Sequence, residues 1–129
     1  NQMPRLLVIE DQPYYIGLDL WDFIPESTEW TWDVVDHPSE IPDDVSVYDG
    51  ILLDHRMPSM NGDEVVPILI ERGSTYDKIV SISTFREGGY PPEVKWAGKM
   101  LSIRIVAALW KYFTGEGEWS AVEAARRNI

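Results

Sequence analysis

The feature that most limits this fold is a set of short apolar runs, each stopped by a polar side chain able to do chemistry. Leu6-Leu7-Val8-Ile9 ends at Glu10-Asp11, Ile51-Leu52-Leu53 at Asp54, Ile79–Ile82 at Ser83-Thr84, and Val94–Gly98 at Lys99. These runs are too short for helices and lack the polar alternation of a half-exposed strand. They read as strands buried on both faces. Strands alternating with helices build a parallel sheet through right-handed crossovers, with helices on both faces. Ligands of such sheets bind beyond the carboxyl ends of the strands. The polar endings are therefore expected to share one rim.

The segments between these runs complete an α/β pattern. Pro13 stands near a helix start, Ile16, Leu20 and Phe23 or Ile24 follow at helical spacing, and Pro25 ends that segment. Trp30, Trp32 and Val34 alternate with polar residues across Glu29–Asp36, which predicts a strand. His37–Tyr48 contains Pro38 and Pro42 and has room for a short helix at most. Met57–Gly62 reads as a loop and Asp63–Arg72 as a helix with Pro67 inside it. A long helix is expected over Leu101–Phe113, with Ile103, Val106, Leu109 or Trp110, and Phe113 facing inward. After Gly115-Glu116-Gly117, Ser120-Ala121-Val122-Glu123 reads as a capping box, with Arg126 and Arg127 at the favourable helix end.

Composition narrows the function. A chain of 129 residues fits one domain with a real core. There is no cysteine, which excludes disulfides and thiolate metal sites, and only His37 and His55 are available as imidazole ligands. The net charge of −11 disfavours direct contact with nucleic acid or an anionic membrane and suits cations or a basic partner. No apolar run approaches the ~20 residues that span a bilayer. Asn1-Gln2-Met3-Pro4 lacks the pattern of a signal peptide, so a cytoplasmic location is expected. A first residue other than methionine leaves room for a longer parent protein with an output domain.

Three carboxylates at one rim raise one another's proton affinity unless a cation intervenes. A hard divalent ion with oxygen ligands relieves this, and Mg²⁺ suits best because it keeps waters and accepts phosphate oxygens. Such an ion also screens an incoming phosphoryl group. Lys99 offers a charge and Ser83 a hydrogen-bond donor to phosphoryl oxygens. The set suits phosphoryl transfer to an aspartate.

At this point the chain resembles the receiver domains of response regulators, in the chemotaxis-regulator-like superfamily of two-component signalling. The string from Tyr48 through Asp54 to Gly62 is similar, nearly residue for residue, to the family's phosphoacceptor strand and following loop. Leu7–Asp11 resembles the first strand with its acidic pair, Ile79–Ser83 the fourth strand, and Lys99 falls where the family's lysine stands. The likeness covers about residues 4–113. It implies a flavodoxin-like three-layer sandwich, a five-stranded parallel sheet in the order 2-1-3-4-5, and a receiver domain over 1–113. Residues 114–129 would form a tail with a short helix, serving as linker or partner surface.

The resemblance also implies roles. Asp54 would be the phosphoacceptor and a Mg²⁺ ligand. Asp11 would bind Mg²⁺ directly, Glu10 through water, and Arg56 through its backbone carbonyl. Ser83 and Lys99 would hold the phosphoryl oxygens, and Ser83 and Trp96 would form the switch. The phosphodonor would be a histidine kinase or phosphotransfer protein, with an output partner and a homodimer both open. The domain would promote its own phosphotransfer and dephosphorylation without being a free-standing enzyme.

Several positions depart from the family's pattern. Phe85–Glu93 holds two glycines and two prolines in nine residues, so the fourth helix is expected to be short or absent. Met100 follows Lys99 where proline is usual, so a trans bond is expected there. Thr84 is bulkier than the common alanine and is expected to narrow access to Asp54, and Trp96 is larger than the usual Tyr or Phe. These departures keep open a pseudo-receiver that binds partners without phosphorylation. For Trp96, plain core packing weighs about as much as switching. A dehalogenase-type aspartyl phosphatase is weaker, because it needs an acid two residues after the nucleophile, where Arg56 stands.

Overall fold

The structure is a computed structural model that describes residues 5–12 and 31–127. The helix expected between Pro13 and Pro25, and Glu29 and Trp30 of the second strand, lie outside the described residues. The elements are β1 (Arg5–Ile9), β2 (Thr31–Val35), β3 (Gly50–Leu53), α1 (Gly62–Glu71), β4 (Ile79–Ser81), β5 (Lys95–Trp96), α2 (Ile103–Phe113) and α3 (Trp119–Arg127). Short 3₁₀ turns cover Pro38–Glu40 and Tyr76–Lys78.

All strand pairs are parallel, in the order β2-β1-β3-β4-β5. The sheet grows outward from its apolar runs. Val8 lies opposite Val34 on one side and Leu52 on the other, and Leu52 lies opposite Val80. Alternate residues of these strands face opposite layers. Leu6, Val8, Leu52 and Val80 pack with Ile105, Val106, Leu109 and Trp110 of α2 and Val122 of α3. Leu7, Ile9, Ile51, Leu53 and Ile79 pack with Val65, Val66 and Leu69 of α1. The architecture is the expected three-layer α/β sandwich, with both faces of β1 and β3 dry.

Local chemistry sets the element ends. The backbone N–H of Asn61 donates to the Glu64 carboxylate at 3.0 Å at the start of α1. Pro67 is exposed, and α1 runs through it. Gly50 is required by packing, because a side chain there would collide with the Phe113 ring. β5 is shorter than the expected Val94–Gly98, since Gly98 takes a φ of 85° and turns the chain out of the extended region. The Lys99–Met100 bond is trans, as are all peptide bonds among the described residues.

Two expectations about helices need correction. α2 starts after Leu101, because the Ser102 hydroxyl accepts from the Ile105 N–H and caps the helix. This start leaves Ile103 exposed and puts Ile105 on the inner face instead. Ser120 does not cap α3 either. Trp119 is already helical and sits edge-on against Tyr112, with ring centroids 5.1 Å apart, so the helix starts two residues earlier than a Ser120 cap would place it. After residue 113 the chain forms the short helix α3, which lies on α2 with Val122 fully buried in the shared core. No helix among the described residues is long and apolar enough to cross a membrane.

No helix lies between β4 and β5 among the described residues, as the glycines and prolines of that segment predict. Residues 82–94 form an irregular connection, with Phe85 largely exposed.

Candidate functional site

The strand register carries the polar endings to one rim. Ile9 and Leu53 are paired, so Glu10 and Asp54 leave the sheet side by side. Their backbones remain tied to it: Glu10 N–H donates to Val35 O at 3.0 Å and Asp54 N–H to Ile9 O at 2.9 Å. On the far side, Ile82 N–H donates to Leu53 O and Ala97 N–H to Ser81 O, both at 2.9 Å. Ser83 and Lys99 are thereby brought to the same edge.

Lys99 joins the two deepest acids. Its Nζ lies 2.7 Å from Glu10 Oε2 and 2.9 Å from Asp54 Oδ1. Glu10 is fully buried and Asp54 is 3% exposed, so these charges are held nearly dry. Glu10 Oε2 has the ammonium close by but no donor aligned on it. Glu10 Oε1 accepts from the Gln12 N–H at 3.1 Å. Burial, with Asp54 and Asp11 adding to it, pushes the Glu10 carboxyl up to about 8 against the opposing pull of Lys99. Burial works to lower Lys99, but its close pairing with the Glu10 and Asp54 carboxylates prevails and holds the ammonium above its ordinary value.

Asp11 completes the acidic group. Glu10, Asp11 and Asp54 each offer a carboxylate oxygen, and these oxygens lie within 4.8 Å of one another. This is an all-oxygen donor set of the kind a hard divalent cation takes. A cleft of about 400 Å³ opens over Asp11, Asp54, Arg56, Ser83, Thr84 and Lys99. Thr84 thus stands in the wall of the cleft, where it was expected to narrow access. An antiparallel bridge between Arg56 and Asn61 closes the loop after β3.

The two residues expected to switch are in contact. The Trp96 indole Nε1 donates to the Ser83 carbonyl at 2.9 Å. The Ser83 hydroxyl donates to the Phe85 carbonyl, at the start of the irregular connection.

Sequence reasoning missed a second contact set beside Asp54. His55 is buried, and its Nδ1 is 2.8 Å from the Tyr90 hydroxyl. Asp63 and Glu87 carboxylates stand 4.0 Å from its ring nitrogens. The His55 N–H donates to Asp54 Oδ1 at 2.9 Å, the oxygen that also accepts from Lys99. A side chain on Gly62 would strike both the Tyr90 hydroxyl and the Asp54 carbonyl. Burial pushes the Tyr90 phenol up to about 12, so it stays a donor at neutral pH. Tyr90 therefore anchors the connection that replaces a helix. The available signal was one aromatic between Gly88-Gly89 and Pro91-Pro92, which suits a loop that must be pinned.

Comparison of this structure with solved ones returns receiver domains over most of the chain. The BeF3-activated DrrB receiver domain is 15% identical with a TM-score of 0.65, covering 88% of this chain and 99% of that one. The fold is that of a receiver domain. The phosphorylated cyanobacterial phytochrome response regulator RcpA is 18% identical with a TM-score of 0.65, covering 91% of this chain and 98% of that chain. A CheY-like receiver domain protein from Methanospirillum hungatei JF-1 is 13% identical with a TM-score of 0.61, covering 99% and 100%. No family model and no curated protein sequence matches the chain. The receiver fold is thus shared with proteins whose sequences have diverged far from this one.

Proposed function

We propose that this receiver domain is a phosphorylatable signalling switch, with Asp54 as phosphoacceptor and Mg²⁺ held by Glu10, Asp11 and Asp54, joined by the Arg56 carbonyl. The observation that carries this reading is the meeting of Lys99 with Asp54 Oδ1 at 2.9 Å inside the group of three acids. The donor would be the phosphohistidine of a kinase or phosphotransfer protein. Two of the fold's neighbours are a phosphorylated response regulator and a BeF3-activated receiver domain, which fits this chemistry.

Bound Mg²⁺ would neutralise phosphoryl charge that the carboxylates otherwise repel. The chain's own groups do the remaining work. Lys99 and the His55 N–H both hold Asp54 Oδ1, which fixes the carboxylate and leaves Oδ2 as the nucleophile. Oδ2 attacks phosphorus, the P–N bond to the imidazole breaks, and the departing imidazole retains that electron pair. Lys99 and the Ser83 hydroxyl then receive the phosphoryl oxygens. The domain assists its own modification and turns over no separate substrate, so we assign no free-standing enzyme activity.

With Mg²⁺ and a small acyl phosphate, the protein should gain about 80 Da, one phosphoryl group. Asp54→Asn should gain nothing, and an equal gain in that variant would remove Asp54 from the role. A second reading is a pseudo-receiver, favoured by the missing helix between β4 and β5 and by a lysine already paired with both deep acids. It predicts no tryptophan fluorescence response to millimolar Mg²⁺.

A further inference from the structure

We propose that α3 is a latch whose seating is coupled to the Asp54 cleft through Arg126 and Trp96; the inference rests on the phosphoacceptor reading of Asp54. The Arg126 guanidinium lies over the Trp96 ring, 4.4 Å from its centroid. Arg126 Nε is buried and has no hydrogen-bond partner, so the ring face is the contact that engages this guanidinium. The rest of α3 is attached along one side, where Val122 enters the core and Trp119 and Ala125 pack against it. Val122 is its one fully buried residue among those described, Trp119 leans on Tyr112, and Ser120, Ala121 and Arg127 are exposed. A short helix buried on one side opens at lower cost than the central strands.

The other face of the connection is the cleft. Trp96 Nε1 is tied to the Ser83 carbonyl, and Ser83 lines the cleft. Lys99, three residues beyond Trp96, reaches Asp54 across the turn at Gly98. The Gly98 α-carbon is itself flanked by Arg126 Cδ and Trp96 Cζ2, each 3.9 Å from where a Cβ would sit. A phosphoryl group on Asp54 presents charged oxygens, which are stronger acceptors than the Phe85 carbonyl that now takes the Ser83 hydroxyl. Ser83 and Lys99 both turn to those oxygens. The two residues that frame Trp96 then move, the indole leaves its place under Arg126, and α3 loosens. By linkage, freeing α3 must favour the filled cleft by the same factor.

The test uses the whole chain with Mg²⁺ and beryllofluoride, a phosphoryl mimic. Fluorine NMR reports binding at the cleft, and hydrogen exchange reports α3. Wild type should show a bound fluorine signal and about fivefold faster exchange in α3, the scale of one cation–π contact. Arg126→Met should exchange faster before any addition, gain nothing further on binding, and bind beryllofluoride about fivefold more tightly. Arg126→Lys, which keeps a cation, should restore much of the wild-type behaviour. A bound fluorine signal with unchanged α3 exchange overturns the latch and leaves Asp54 as acceptor. Absence of a bound signal overturns both.

Discussion

The two halves of the rim are built differently. On one half, Glu10 and Asp54 leave β1 and β3, strands of five and four residues buried from Leu6 to Ile9 and from Gly50 to Leu53. On the other half, Ser83 follows β4, Trp96 ends β5 and Lys99 follows it; these strands have three and two residues and lead into irregular chain and the turn at Gly98. The acids stand on rigid ground, and the groups proposed to answer a phosphoryl group stand on the thin edge. Groups that must stay in place and groups that must move are thus assigned to regions of different local stability.

The sharpest test of that contrast is core truncation on each side. Leu52→Ala, in the centre of the sheet, should cost about 4 kcal/mol, while Val94→Ala beside β5 should cost about 2 kcal/mol, both read from denaturant midpoints. Equal costs would erase the distinction between the halves. Next comes the charge that spans them. Lys99→Met leaves two buried acids without their ammonium and should cost about 3 kcal/mol at pH 8, with loss of phosphoryl uptake. Uptake at the wild-type rate would remove Lys99 from the chemistry.

A smaller effect is expected with pH. The Glu10 carboxyl is raised from 4.5 to about 8, so the folded chain holds an extra proton between those values. The stability this contributes is full below about 4.5 and is lost as the pH rises through 8. We expect stability to fall steadily across that window. Glu10→Gln should flatten the profile, and an unchanged slope would place the proton elsewhere. Metal binding should release the same proton, so apparent Mg²⁺ affinity should rise towards pH 8. The smallest effect concerns the thin edge alone. Tyr90→Phe removes one hydrogen bond to His55 and should cost about 1 kcal/mol. Hydrogen exchange should localise that loss to residues 85–93, leaving β1 and β3 unchanged.

The same contrast governs what could be read from the sequence. The central strands were legible because Leu6–Ile9 and Ile51–Leu53 are unbroken apolar runs, and each ends on the acid that the structure places at the rim. The missing helix before β5 was legible in its local glycines and prolines, whereas the sheet order came only from the resemblance to receiver domains. The start of α2 was not, because Leu101 continues the apolar pattern and only the Ser102 cap decides the boundary. The contact of His55 with Tyr90 joins residues 35 apart, and nothing local in either segment specifies the other. Arg126 on Trp96 was invisible for the same reason, since helix-end arginines are common without a ring to cover.

Lys99 reaches both Glu10 and Asp54, and this has a consequence for assembly of the molecule. The chain carries its own counter-ion to the most repulsive spot in its interior. Folding of the rim therefore needs no imported charge.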